Sequence, residues 1–590
     1  MPDILIPNES KHDVSTYKIT VGGTGVDPSL QLLSLSISKE LNRVSTASMI
    51  FRDGDAALQT FTLSNQEVFV PGKKIEISIG RDSLNKSAFK GIITKHAIKI
   101  KANGNTQLQV ECMDEAVKMT IGRKNQYFEN VKDSDVFDDL ISKYGIKSDP
   151  ETTKLQHKEL VQHNITDWDF MLLRAEANSM LVEVNDGVIK IAKPKIKKEV
   201  LQVNYGSSVL EFEAEIDARY QFKSVNAESW DYSNQQLFKA DTTSSSFADA
   251  EQGNLSGGDI AAALSPDKFD MHHSGHKLEQ ELQDWVDGIM TRSRLAKIRG
   301  RARFTGFAGI KPGDTVLLSG VGDRFNGKAF VTAVRQDIGE GTWETQIQFG
   351  LDPHRYAFIH NDMDDAPTAG LVGGIHGLQI GVVVQLESDP DGQDRIRVRI
   401  PVIDSNAQGI WTRIASLDAG DNRGAFFMPE IGDEVIVGFI NDDPNDPVVL
   451  GMLHSSSKPA PITPQDTNNE KGFTTRSKMH LSFNDDTKTI VIDTPAGNSI
   501  TIDERSMKIE IKDQSQNKIT METSGITLES PANIDIKAGA VLTLAGGASL
   551  SIGAPSLSVK ADADVSIQGA VAKLASSGIT EINGSIVKIN

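Results

Sequence analysis

Apolar residues two positions apart recur every seven or eight residues through the last tenth of the chain. The regular pairs are Ile526/Leu528, Ile534/Ile536, Leu542/Leu544, Leu550/Ile552, Leu557/Val559 and Val565/Ile567. Ala572/Leu574, Thr580/Ile582 and Val587/Ile589 continue them less regularly. Residues two apart point to one face of a strand. Between the pairs stand small, polar or turn-forming residues such as Gly539, Gly546, Gly553, Pro555, Gly569, Gly578 and Gly584, which turn the chain at little steric cost. A unit this short holds one strand with two inward side chains, and one chain cannot wrap such units around a core of its own. Three chains wound together can, each supplying one wall of a triangular prism. The pattern therefore predicts an intertwined trimeric β-helix over residues 478–590, with the paired residues as its core. Upstream, Met479/Leu481/Phe483, Ile490/Ile492, Ile500/Ile502, Ile509/Ile511 and Ile519/Met521 come at wider steps of nine to eleven, which predicts a rod that narrows toward its C-terminal end.

Ahead of the rod the periodicity changes several times. Residues 15–125 read mainly as strands, for example Tyr17–Val21, Leu30–Ser38, Ile75–Ile79 and Leu108–Cys112. Helical spacing appears over about Ser134–Tyr144, with Val136, Phe137, Leu140 and Ile141 on one face and Gly145 as the stop. A second helix begins at Thr166, a good N-cap, with Asp169 in its first turn. Strands return over 181–240. Residues 241–276 are polar and glycine-rich and predict a loop or insertion. Leu278, Leu282, Trp285 and Ile289 predict a helix over about Lys277–Lys297, packed on its own barrel. Gly300–Gly350 is strand-rich, and His360–Thr368 is a polar connector. Alternation at Val382–Leu386, Ile396–Ile400, Ile410–Ile414, Val435–Ile440 and Val448–Leu453 predicts a small closed barrel of the OB type. The Ser/Pro-rich stretch 456–472 then reads as linker.

Composition narrows the function. A formal net charge of −19 opposes nucleic acid or anionic membrane as the main partner. Residues 378–455 hold 13 acidic and 5 basic residues, with only Trp411, Phe426, Phe427 and Phe439 as aromatics, so the barrel lacks an electropositive stacking platform. The single cysteine, Cys112, excludes an intrachain disulfide framework and a multi-cysteine zinc site, and reads as a small buried hydrophobe. The N-terminus predicts no signal peptide, and no 18-residue apolar run predicts a membrane span.

Several segments, in this order, resemble the VgrG spikes of type VI secretion systems and their relatives in contractile phage tails and extracellular contractile injection systems. ITDWDFMLLRAEANSM (Ile165–Met180) resembles a helix of that family's hub, and Ile310–Ile338 its second hub barrel. Met428–His454, MPEIGDEVIVGFINDDPNDPVVLGMLH, is the most specific match, to the OB barrel. Met479–Asp503 is similar to the start of the β-helix. The resemblance implies a mainly β fold: a hub of β-barrels with a few helices in two halves, 1–276 (a β-barrel with a helical insertion) and 277–370 (a helix plus a β-barrel), an OB-fold barrel at 371–456, a linker at 457–477 and the spike at 478–590. It also implies a homotrimer whose hub meets a hexameric inner tube and baseplate proteins, effector cargo carried by other chains, and a PAAR-type tip protein contacting Ile586, Val587, Lys588, Ile589 and Asn590. Assembly in the cytoplasm, export on firing and transient contact with a target membrane follow. The linker is too short for the lysozyme domain of some phage relatives, and no effector domain is expected after Asn590.

No catalytic, cofactor or metal site is expected. His272, His273 and His276 form a histidine cluster, but a solvated loop is the preferred reading over a metal site. No histidine follows His480, so an apical metal site of the kind seen in some phage needles is not carried over. Asp389–Asp394 lacks the glycine at the sixth position and the bidentate glutamate at the twelfth of a calcium loop, and reads as a hairpin turn. Gly22–Gly25 does not match a phosphate loop. Two rivals remain. A β-helical polysaccharide-degrading enzyme closes each coil within one chain, using rungs of more than about 20 residues. A tailspike or adhesin is expected to show aromatics at its free end, and residues 526–590 contain none.

Overall fold

The computed structural model describes Pro7 and residues 14–102, 105–245, 252–264 and 268–589. Alternating burial builds the first part of the hub. Leu32–Glu40 and Thr46–Arg52 bury every second residue and pair antiparallel. Thr106–Met113, Leu84–Ile100, Lys74–Arg81 and Ser15–Val21 extend that sheet in turn. Its core includes Ile37, Met49, Phe51, Phe69, Ile77 and Phe89, with the Phe51 and Phe69 rings 4.9 Å apart.

The second part joins the first through one long strand, Gly327–Gly339. Along one edge it pairs with Thr342–Phe349. On the other side, its Ala333–Gly339 half pairs with Leu32–Glu40 and its first four residues pair with Thr315–Ser319. Ile298–Thr305 and Val209–Ile216 complete a 13-stranded sheet that runs past both cores. Ala302, Phe304, Val331, Ile347 and Phe349 fill the second core.

Among the described residues, the longer helices flanking the sheets are α1 (Asp133–Ser142), α2 (Asp167–Ala177), α3 (Gly257–Leu264) and α4 (Glu279–Ala296), and a single turn, Tyr356–Ile359, follows them. Helix α1 buries the four apolar residues named from its spacing and ends before Gly145, at φ +69°. Thr166 caps α2, accepting the Asp169 N–H at 3.0 Å. Two expectations need correction. The stretch 241–276 is not simply a loop. It contributes α3 and the strand Lys268–His273, which pairs in parallel with Ser224–Asp231 and buries only Met271 and so shows no alternation. Helix α4 packs on this small sheet, through Leu282, Val286 and Met290, rather than on a barrel; Leu278 precedes the helix and is exposed.

The connector after the hub is fastened down. Arg123 donates to the carbonyls of Asn164, Asp362, Met363 and Asp364, while Met363 is buried in the helical core. Beyond it, Gln379–Gln385, Ile396–Arg399, Ile410–Ile414, Pro447–Met452 and Glu434–Phe439 close a five-stranded barrel around Val383, Ile396, Val398, Val435, Val437 and Val449.

A seven-stranded antiparallel meander follows. It begins at Glu470–Thr474, which pairs with His480–Asn484, so the expected linker already carries a strand. Its sequence, EKGFT, has one aromatic residue and too few alternating positions to stand out.

Candidate assembly interface

The meander consists of five-residue strands: Glu470–Thr474, His480–Asn484, Thr489–Asp493, Ser499–Asp503, Lys508–Lys512, Lys518–Glu522 and Gly525–Glu529. Each of the last six carries two apolar residues at its second and fourth positions, and the register stacks them. Leu481 lies opposite Ile492, Ile492 opposite Ile500, Ile500 opposite Ile511, Ile511 opposite Ile519, and Ile519 opposite Leu528. Phe483, Ile490, Ile502, Ile509, Met521 and Ile526 form a second row beside it. Two unbroken apolar ladders therefore occupy one face. The opposite face is polar, with His480 and Asp493 at 3.2 Å, Lys508 and Glu510 at 2.5 Å, and Lys518 and Glu529 at 2.9 Å.

The apolar face is not covered by its own chain. Ile492, Ile500 and Ile511, central in the sheet, are 47%, 40% and 41% exposed. A contiguous apolar face of this extent marks an interaction surface.

After Glu529 the pairing within the chain stops. No residue from Ser530 to Ile589 lies in a strand, and every residue from Pro531 to Ile589 is exposed. Among the expected core residues, Ile526 is brought opposite Met521 and Leu528 opposite Ile519. Ile534, Ile536, Leu542, Leu544, Leu550, Ile552, Leu557, Val559, Val565, Ile567, Leu574, Ile582, Val587 and Ile589 are not gathered into a core by a single chain. Of the expected tip contacts, Ile586, Val587, Lys588 and Ile589 are exposed, and Asn590 lies outside the described residues.

Barrel and meander touch through contacts that the sequence reading missed. Phe427 stacks on Phe473 with ring centroids 5.2 Å apart, and Arg476 pairs with Glu430 at 2.8 Å. Both meander residues come from the stretch read as linker, where the one signal was an isolated phenylalanine.

Comparison with known families matches these parts in order. Residues 11–340, more than half of the chain, match the family model of the Alg8 N-terminal domain. Residues 379–454 match the type VI secretion system/phage-baseplate injector OB domain, and 489–563 the phage baseplate V C-terminal trimerisation domain. The chain belongs to the Alg8 N-terminal domain family and is a VgrG-like spike protein. Similar to this spike is the type VI secretion system spike protein VgrG1b of Pseudomonas aeruginosa, 24% identical over 214 residues that make up 34% of this chain and 28% of the relative. The actin cross-linking toxin VgrG1 of Vibrio cholerae is 27% identical over 160 residues, 26% of this chain and 14% of the relative. The spike thus spans less than a third of the length of these curated relatives. A tail protein of prophage MuSo2 from Shewanella oneidensis overlays 57% of the spike and 96% of its own chain, at 12% identity and a TM-score of 0.44.

The residues weighed for chemistry are placed as follows. Cys112 is 1% exposed in the spike's first core, where burial pushes its thiol pKa up to about 12. The Asp389 carboxylate is held by the Arg395 guanidinium at 2.6 and 3.1 Å and accepts the N–H groups of Asp391, Gln393 and Arg395. These contacts hold Asp389 well below the usual carboxylate range, Arg395 being the main cause. That loop is a turn closed by its own arginine. His272 faces Glu228 at 3.7 Å and His276 faces Asp231 at 3.9 Å, while His273 bonds to Gly275, so the three histidines do not converge. Among the described residues, no group of three or more His, Cys, Asp or Glu side chains is placed to hold a metal ion, and no helix is long and apolar enough to cross a membrane.

Proposed function

We propose that this chain is the central spike of a bacterial contractile injection machine and works mechanically rather than as an enzyme. Three copies wind their C-terminal segments together, burying the apolar ladders of 480–529 and the repeats of 530–589 along one axis. Ile526, Leu528, Ile534, Ile536 and the pairs that follow form the shared core. The observation that carries this reading is the uncovered apolar face, which runs without a break in pattern into a segment that forms no strand alone. The trimerisation-domain match over 489–563 supports it. Fully burying one Leu or Ile side chain stabilises by about 1.5–3 kcal/mol, so dozens of such residues per assembly favour association strongly.

In this reading the hub meets a hexameric inner tube and baseplate proteins, and effector cargo travels on the assembly. A PAAR-type tip protein covers the strand ends at Ile586–Ile589, because open strand ends invite pairing. The spike is assembled in the cytoplasm, leaves with the fired machine and touches the target membrane only in passage. Native mass measurement of the full chain tests the assembly, with three chains expected. A monomer whose residues 530–589 are nonetheless protected from amide exchange overturns it.

A further inference from the structure

The two apolar rows of the meander end differently on the side nearest the barrel. In the first row Phe473 lies opposite Leu481 and so shares the apolar face with it. Glu470–Thr474 is the terminal strand of the sheet, which makes Phe473 the last residue of that row, and it is 48% exposed. In the second row the position opposite Phe483 is Lys471, whose ammonium donates to the Asp485 carboxylate and the Asn468 carbonyl. A charged group is costly to remove from water, so the dry part of the face has to stop short of this lysine.

Phe427 reaches that end from the barrel, on the long loop between Ile410–Ile414 and Glu434–Phe439. The loop is braced. The Ser416 hydroxyl donates to the Ala425 carbonyl at 2.7 Å, Arg423 pairs with Asp418 at 2.7 Å, and Met428 packs against the barrel core. The Phe427 ring stacks on Phe473 with centroids 5.2 Å apart and planes 16° from parallel. Neighbouring strands of a sheet stand about 4.7–4.9 Å apart. Phe427 is therefore spaced from Phe473 much as the first-row residue of one more strand would be, although it belongs to another domain. Its own chain leaves it 60% exposed.

We infer that Phe427 is a rung of the spike core supplied by the barrel, and that the Phe427–Phe473 stacks of three copies pack together and seal the barrel end of the dry axis. What covers each stack is the same stack of the other copies, because it continues the first apolar row without a gap. A five-residue strand spans about 16–17 Å, so a three-walled prism of that width places each wall only about 5 Å from the axis. Phenylalanine rings projecting from such walls meet at the axis and fill it. Stacked rings are also a favoured aromatic geometry, and six of them form a broad apolar layer. That layer separates the water around Lys471 from Leu481 and Ile492 behind it. The seal rests on the three-chain assembly proposed above and adds a barrel residue to its core.

The test uses the full chain. Phe427→Cys is compared with Ser456→Cys, at an exposed position beyond the barrel, for reaction with a water-soluble maleimide beside a native mass measurement. Cys112 is 1% exposed and gives no background in the folded protein. The Phe427→Cys trimer is expected to react at least about tenfold more slowly than the Ser456→Cys trimer. Because cysteine fills less space than phenylalanine, amide exchange is read in a second pair of variants. Phe427→Ser is expected to speed exchange in Glu470–Thr474 and His480–Asn484 by about tenfold or more while leaving Ser499–Asp503 and Lys508–Lys512 unchanged, and Phe427→Leu is expected to restore most of the protection. A trimer mass with equal thiol reactivity at the two positions, or with exchange unchanged by Phe427→Ser, overturns the seal and leaves the three-chain assembly standing. A monomer mass overturns both.

Discussion

Asp133 sits at the start of α1, 1% exposed, and accepts hydrogen bonds from four donor atoms. Arg174 approaches both carboxylate oxygens, at 2.6 and 2.9 Å, and His157 and Asn178 complete the shell at 2.9 and 2.8 Å. Burial opposes the charge, but the bonds from His157, Arg174 and Asn178 outweigh it and hold the carboxyl well below its ordinary range. A depressed pKa stabilises the fold above the unfolded value, here 3.8, and that contribution is lost as pH falls toward the folded value. The hub is therefore expected to lose stability progressively below about pH 4. Asp133→Ala leaves Arg174 without its partner in a mostly buried site, and a loss of about 3–5 kcal/mol is expected, read as a lowered thermal midpoint at pH 7. The variant should also show a flatter acid limb, since the group that titrates there is gone.

At the scale of elements, the meander separates two faces that one substitution each can distinguish. Ile500 lies on the apolar ladder between Ile492 and Ile511, while its neighbour Thr501 lies on the opposite face beside Val491 and Glu510. Ile500→Asp places a charge in the assembled core and is expected to lower the trimer fraction in native mass spectra by tenfold or more, equivalent to at least about 1.4 kcal/mol per assembly. Thr501→Asp is expected to leave that fraction unchanged. Equal effects of the two would mean that the apolar face is not the contact.

The two ladders were legible because strict two-residue spacing survives wherever one face must be buried. Helix α1 was legible for the same reason at a period of 3.6, and α2 through its Thr166 cap and Asp169 in the first turn. The strand Lys268–His273 was not, since it buries a single residue and its partner lies some forty residues upstream. Nor was the seating of α4, because an apolar stripe names a buried face without naming what covers it. The Arg123 clamp left no trace at all. Its acceptors are main-chain carbonyls, which every residue carries.

For the molecule as a whole, that clamp decides how hub and barrel are joined. The acidic connector at 360–368 has little reason of its own to lie on the hub, and Arg123, together with buried Met363 and the Tyr356–Asp169 bond at 2.9 Å, holds it there. Arg123→Ala is expected to open the connector to protease, with cleavage within 360–370 at least about tenfold faster than in the native chain, while the isolated products keep their fold. Unchanged cleavage would place the restraint elsewhere. The net charge of −19 per chain disfavours nonspecific adhesion between copies, an effect that salt screens.

Gly327–Gly339 gives one backbone to two cores, with Ile338 in the first and Val331 and Val334 in the second. A seam between two separate sheets would open under load at its weakest side-chain contacts. Here a pull that tried to part them must shear the ladder from Ala333 to Gly339 all at once, since bonds loaded in parallel yield together. A single strand so placed makes the hub behave under tension as one solid piece, and in a pulling experiment it would let go in one step.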